Sequence, residues 1–268
     1  MRSVICHFFN EAYLLPWWLK HHVPLFDYGV MIDHGSSDNS VELIRLHAPH
    51  WRIVHTRLVD FNAFLNDLEV MRFEQELPGW KIALNATEFL VSVNSLRKVE
   101  EWCEQNNLDG FACSGFVAVD LEPDILPTHD QSLLVQKPWA IDDNKTLERV
   151  DRINRGLTDT PERNRFYHRD QVGMHFPGRH RSHHPASRRR RPDVMVIHFG
   201  YSPWNDSALA RKIQIQQRLN SKDLARGWGI QHLRGEKEWN AEYEKVKPLA
   251  EDLRNHPLAS RSNVFGAV

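Results

Sequence analysis

A chain of 268 residues can bury a sizeable core as one large domain, or as one domain with an appendage. With 41% hydrophobic and 26% charged residues it has a globular balance, and a formal net charge of -1 argues against a wholly basic nucleic-acid binder. Three cysteines (Cys6, Cys103, Cys113) are too few and too odd in number for a disulfide framework, and no apolar run approaches a membrane span, so a reducing, cytoplasmic setting is expected.

Residues 4–8 form an apolar run suited to a buried parallel strand. A helix follows, with Leu14, Trp18 and His22 on one stripe and Leu15 and Leu19 beside it; Pro16 fits its first turn and Pro24 stops it. The second strand, 29–32, runs into the polar turn Asp33-His34-Gly35-Ser36-Ser37-Asp38. The next helix carries a capping-box signature, Asn39 with Glu42, and ends before Pro49. Residues 51–55 read as a third strand. An amphipathic helix over 62–76 is predicted to turn Phe64, Leu68 and Met71 inward. A fourth strand (80–84) and a helix (95–106) complete an alternation that implies a parallel, mostly buried sheet.

After Gly110 the rhythm changes. Residues 111–119 are a long apolar strand and 132–136 are predicted to be another, while 142–163 are charged and form a surface excursion. Short strands are expected at 165–167 and 172–175, a basic, turn-prone loop at about 178–192, and a buried strand at 194–197 ending in His198. Residues 206 to about 226 are predicted helical, with a cap at Asn205 or Asp206, and a charged helix spans about 236–253. The tail, 259–268, has little to fold around.

The turn at 33–38 carries the first functional signal. Open α/β sheets bind ligands outside the carboxyl ends of their strands. A carboxylate such as Asp33 there can hold a ribose or a base edge, and the following helix offers free N–H groups. Gly, Ser, Asp and Asn also build ordinary turns for local reasons, so both readings stand at this point.

Three ordered segments add a resemblance. Phe9-Asn10-Glu11, then His21-His22, then Ile32 to Asp38 together resemble the opening of family-2-like glycosyltransferases with the GT-A fold. Those enzymes carry an Asp-any-Asp motif at a later strand end, often followed by Glu-Phe-Leu, and Asn85-Ala86-Thr87-Glu88-Phe89-Leu90 lies where that motif belongs. The similarity covers roughly the first 120 residues, with Gly178-Arg179-His180 and His198 as looser later matches. It implies an α/β, GT-A-like nucleotide-binding domain over 1–200, with 201–268 as a helical extension packed on it. It also implies a nucleotide-sugar donor, a UDP-sugar first, and a glycan or lipid-linked acceptor, the latter with peripheral membrane association. Phe8, Asn10, Glu11, Asp33 and Asp38 would line the nucleoside end, and Thr87, Glu88, Arg179 and His180 the diphosphate.

Both motif aspartates are replaced here, by Asn85 and Thr87, which offer only neutral oxygens where Mn2+ or Mg2+ prefers anionic ones. Glu88 supplies a substitute carboxylate and His198 an imidazole, a pairing kinder to manganese. A rearranged metal site, metal-independent transfer and lost activity all remain open. Arginines from the basic loop are an alternative means of meeting phosphate charge. An inverting enzyme needs a base for the acceptor hydroxyl, for which Asp170 and Asp120 are candidates. A catalytically inactive nucleotide- or glycan-binding protein on the same scaffold is the competing class; nucleic-acid binding through Arg188 to Arg191 is weaker, because the rest of the chain is not basic.

Overall fold

The computed structural model describes residues 1–142 and 164–265. The amino-terminal part alternates as expected: β1 (Arg2–Phe8), α1 (Leu15–His22), β2 (Tyr28–Asp33), α2 (Ser40–His47), β3 (Arg52–His55), α3 (Ala63–Glu76) and β4 (Trp80–Asn85). There follow β5 (Glu88–Ser92), α4 (Leu96–Gln105), β6 (Gly110–Val119), α5 (Leu133–Gln136), β7 (Trp139–Asp142) and β8 (Phe166–His168). The rest comprises β9 (Arg190–Tyr201), α6 (Asp206–Gln214), α7 (Ser221–Ala225), α8 (Glu236–Val246) and β10 (Glu251–Asp252).

The fold class is α/β, with a central sheet that is parallel at its core and flanked by helices. Strands β3, β2, β1 and β4 run parallel in that order. Beyond β4 the sheet turns antiparallel through β8, β6, β7 and β10, while β9 lies parallel to β6 and antiparallel to β5. The apolar runs of β1, β2 and β4 are covered on both faces, as a parallel sheet requires. Register fixes where the strands end. Phe8 lies opposite Asp33 and His7 opposite Asn85, so the tips of β1, β2 and β4 share one edge.

Helix α1 shows how sequence becomes packing. Its apolar stripe buries Leu15, Trp18 and Leu19, each worth roughly 1.5–3 kcal/mol or more of transfer free energy. Its polar handles then satisfy the backbone of β5: the Trp18 indole donates to the Glu88 carbonyl (2.9 Å), and His22 Nε2 accepts from the Leu90 N–H (3.2 Å). The helix therefore fixes the strand that starts with Glu88.

Several expectations differ from the structure for identifiable reasons. Helix α3 has the predicted span, capped by Asn62 accepting from Leu65 N–H, but it is rotated. Phe64 and Leu68 are 46% and 43% exposed, whereas Asn66, Asp67, Val70, Phe73 and Glu74 face inward. Its buried carboxylates dock a later loop, a tertiary need that outweighs the apolar pattern. Residues 132–136 are not a strand; Leu133–Gln136 is a helical turn with both leucines buried. At 172–175 there is only an isolated bridge from His175 to Ser182. Asn39 precedes α2 without a side-chain cap bond. The helix expected over 206–226 is broken after Gln214, and the last helix stops at Val246, before β10 pairs with β7. The tail does find a core, since Ala259 and Phe265 are buried within the main cluster. Most of the predicted surface excursion, 143–163, lies outside the described residues. Among the described residues no helix is long and apolar enough to cross a membrane.

Candidate active cleft

A cavity of about 310 Å³ opens at the carboxyl edge of β1 and β4. One wall comes from the strand tips and the corner between β4 and β5: His7, Phe8, Asn85, Ala86, Thr87 and Glu88. His198 on β9 lies directly opposite Glu88 in the strand register, and His180 reaches in from the basic loop. The facing wall is built by α6 and α8, with Arg211, Lys212 and Gln214 from the first and Trp239 and Glu242 from the second. Phe8, Glu11, Thr87, Glu88, His180 and His198, scattered over 190 positions of sequence, thus meet in one place, whereas Asp33, on which the strand-edge argument rested, does not line it.

The corner is held by buried arginines. Glu88 is buried, and Arg165 grips its carboxylate with Nη2 on Oε1 (2.5 Å) and Nε on Oε2 (2.8 Å). Oε2 also accepts from the Asn85 N–H (2.8 Å), closing the turn. The same guanidinium donates to His180 Nδ1 (2.9 Å), orienting that ring toward the cleft. Arg179, buried and at φ +59, donates to Asn85 Oδ1 (2.7 Å) and to Asp67 on α3. A left-handed arginine is strained by roughly 1–3 kcal/mol and persists only where neighbours over-determine it. Those neighbours are Asp67, which also accepts from Gly178 N–H (2.7 Å), and Asn85.

This arrangement corrects the expected metal site. Asn85 Oδ1 and both oxygens of Glu88 already accept from guanidinium groups, and Thr87 is neutral. A divalent cation placed at Glu88 and His198 would sit against Arg165, so the donor set does not suit one. Neither is Glu88 a free catalytic carboxylate, because its charge is spent on Arg165. Asp170 is placed wrongly for a base. It follows β8, whose His168 pairs with Lys81, four residues before Asn85 and so about 13 Å down the strand. There Asp170 is paired with His184 (2.9 Å). Asp120 is a buried structural carboxylate, bound by Lys137 Nζ (2.8 Å) and the Trp204 N–H (3.0 Å).

Three of the five residues expected at the nucleoside end serve the loops instead. Asn10, at φ +48, accepts from the N–H groups of Ser37 (2.7 Å) and Asp38 (3.3 Å). Asp38 accepts from Ala12 N–H (3.0 Å) and Ser40 N–H (3.0 Å). Asp33 is buried, accepts from Ser36 N–H (2.8 Å) and pairs with His55 (3.0 Å). Above them lies Arg218, which stacks on Phe9 (4.1 Å) and donates to the His34 carbonyl (2.8 Å). His34 itself is pushed down to about 4 by burial, then by His7 and Arg218, and is neutral near neutral pH.

Only Phe8 and Glu11 of that group line the cavity. Burial raises the Glu11 carboxyl, with Arg211 pulling the other way through a 3.1 Å ion pair on Oε1, while Oε2 has no hydrogen-bond partner among the described residues. Glu242 is fully engaged, by the Tyr201 hydroxyl (2.5 Å) and by Arg234. Lys212 sits among aromatic rings, 4.0 Å from the Trp239 centroid and 4.8 Å from that of Tyr201. Sequence reasoning missed Arg165, Arg211, Lys212, Arg234 and Trp239. Nothing local marks them: Arg165 reaches Glu88 from just before β8, and the other four reach the cleft through long-range packing of the carboxy-terminal segment.

No protein-family model matches the chain, and no curated protein matches it. Solved structures are similar to part of the chain. One is TarS of S. aureus, at 12% identity and a TM-score of 0.34, covering 47% of this chain and 23% of that one. A TarS structure in complex with UDP-GlcNAc gives 12% identity and a TM-score of 0.32, over 47% and 37% of the two chains. Glucosyl-3-phosphoglycerate synthase from Mycobacterium tuberculosis, in complex with Mn2+, UDP-glucose and phosphoglyceric acid, gives 14% identity and a TM-score of 0.36, over 63% and 56%. The match therefore spans from 23% to 56% of the length of those chains.

Proposed function

We propose that the cleft binds a nucleotide-sugar, a UDP-sugar first, and transfers the sugar to a hydroxyl of a glycan or lipid-linked acceptor. The observation that carries this reading is the convergence of Phe8, Glu11, Thr87, Glu88, His180 and His198 on one cavity at the carboxyl edge of the sheet. That edge is where open α/β sheets take their ligands.

In the reaction a new C–O bond forms at the anomeric carbon as the bond to the diphosphate breaks, and the acceptor proton passes to a base. Negative charge grows on the departing diphosphate, and preorganised cations lower the barrier there. Arg211, Lys212 and Arg234 on the facing wall supply positive charge without a metal at the corner, and His180, whose Nδ1 accepts from Arg165, adds a neutral Nε2–H donor. Arginine forks suit phosphate oxygens in this role. For the base, Glu11 replaces Asp170: it lines the cavity, has one oxygen without a partner among the described residues, and burial raises its carboxyl.

A second reading, a non-catalytic nucleotide- or glycan-binding protein, is favoured by the arginine grip on Asn85 and Glu88. One experiment separates them. Incubation with a panel of nucleotide-sugars and measurement of nucleoside diphosphate release should show turnover that falls at least tenfold in Glu11→Gln. Binding of the diphosphate without release by the unaltered protein supports the inactive scaffold, and no binding of any panel member removes both.

A further inference from the structure

A second cluster of chemistry-bearing side chains lies away from the cleft. Glu74 on the last turns of α3, His168 at the end of β8 and His175 in the following loop are all buried. Glu74 Oε1 lies 2.8 Å from His175 Nε2 and 3.3 Å from His168 Nε2. One ligand atom from each of the three falls within 4.8 Å of the other two. We propose that these residues bind a first-row divalent cation, zinc foremost, in a structural site that pins the basic loop to α3.

Distances, donor chemistry and space support the assignment. Bonds of about 2.0–2.1 Å from nitrogen and oxygen make tetrahedral edges of about 3.3 Å, close to the two separations seen. Two imidazoles and one carboxylate are a zinc-type donor set, unlike the oxygen-rich sets of magnesium or calcium. The carboxylate is already oriented, because Oε2 accepts from the Gly173 N–H (2.6 Å) and leaves Oε1 to face the rings. With no cation, one oxygen serves two Nε2–H groups; both Nδ1 atoms are without a partner among the described residues with or without one. A cation uses both Nε2 lone pairs and the oxygen together.

Space beside the ligands is kept by a glycine. A Cβ at Gly173 would fall 2.3 Å from His175 Nε2 and 3.1 Å from Glu74 Oε1, so even a methyl group would intrude there. Gly173 has no left-handed φ, so close approach and not backbone conformation calls for glycine here. Lys81, a cation whose charge reaches Glu74 and His168, has its ammonium on the Asp170 carbonyl (2.6 Å). The site is not the diphosphate site. It belongs to the end of β8 that pairs with Lys81, and its effect on the cleft runs through the loop that carries Arg179 and His180.

The test uses the full chain, stripped with a chelator and reconstituted with Zn2+ alone, with metal content and thermal unfolding as readouts. About one zinc per chain and a raised Tm are expected, and Co2+ in its place should give the visible absorption of a tetrahedral centre. Glu74→Gln, His175→Ala and Gly173→Ala should each weaken zinc binding tenfold or more, the last with every ligand intact. Should a variant fail to fold, the cobalt spectrum of the unaltered chain decides. A stripped chain that takes up no zinc, cobalt without a tetrahedral band, or variants that bind zinc like the parent would overturn the proposal. None of these readouts depends on glycosyl transfer.

Discussion

Two polar clusters occupy the same edge of the sheet and do different work. At the tip of β2, Asp33, Asp38 and Asn10 point their oxygens at the backbone N–H groups of their own loops. At the corner after β4, Asn85 and Glu88 point theirs at two buried arginines, and the cleft opens beside them. Both clusters are acidic turns following apolar strands, so sequence alone treats them alike. Partners separate them. A carboxylate answered by local N–H groups stabilises a turn, whereas one answered by a distant arginine places charge at a cavity wall.

The largest expected effect lies in the corner. Arg165→Met leaves Glu88 buried and unpaired, which costs about 3–5 kcal/mol, read as a shift of the urea midpoint. Adding Glu88→Leu should recover much of that loss; a single variant as stable as the parent would mean that the pair is not buried in solution. Next comes the turn. Asp33→Ala should cost about 1–3 kcal/mol by orphaning Ser36 N–H, while nucleotide affinity of the folded protein changes little. A tenfold loss of affinity at unchanged stability would instead return Asp33 to the ligand.

The remaining effect is in pH dependence. The folded pKa of His34 is depressed to about 4, so between about 6.5 and 4 the unfolded chain binds the extra proton. Stability should therefore fall on acidification through that window, by up to about 1.4 kcal/mol per pH unit from this group. Burial lowers His7 and His22 as well, in the same direction. His34→Phe should flatten the slope by about one proton, and an unchanged slope would show that His34 is solvated.

Much of the fold was legible. Apolar runs of two-sided strands and the stripe of Leu14, Trp18 and His22 announced β1, α1 and β2, and their alternation announced a parallel core. The rotation of α3 was not legible, because its inward face carries Asp67 and Glu74, which a binary pattern sends to solvent. Their partners Gly178, Arg179 and His175 lie about a hundred residues on. In the site, Thr87, Glu88, His180 and His198 were legible as cavity-lining positions, but their roles were not. Arg165 meets Glu88 across 77 positions, a pairing that no local spacing encodes.

The central claim is that the cleft receives a nucleoside diphosphate on side-chain cations and not on a metal at the Asn85–Glu88 corner. Calorimetric titration of the full chain with UDP tests it most directly, run once in EDTA and once with Mn2+, beside the Arg211→Gln variant. The account predicts binding in EDTA within about threefold of that in Mn2+, and at least tenfold weaker binding by the variant. Binding that appears only with Mn2+, or that ignores Arg211, would contradict it.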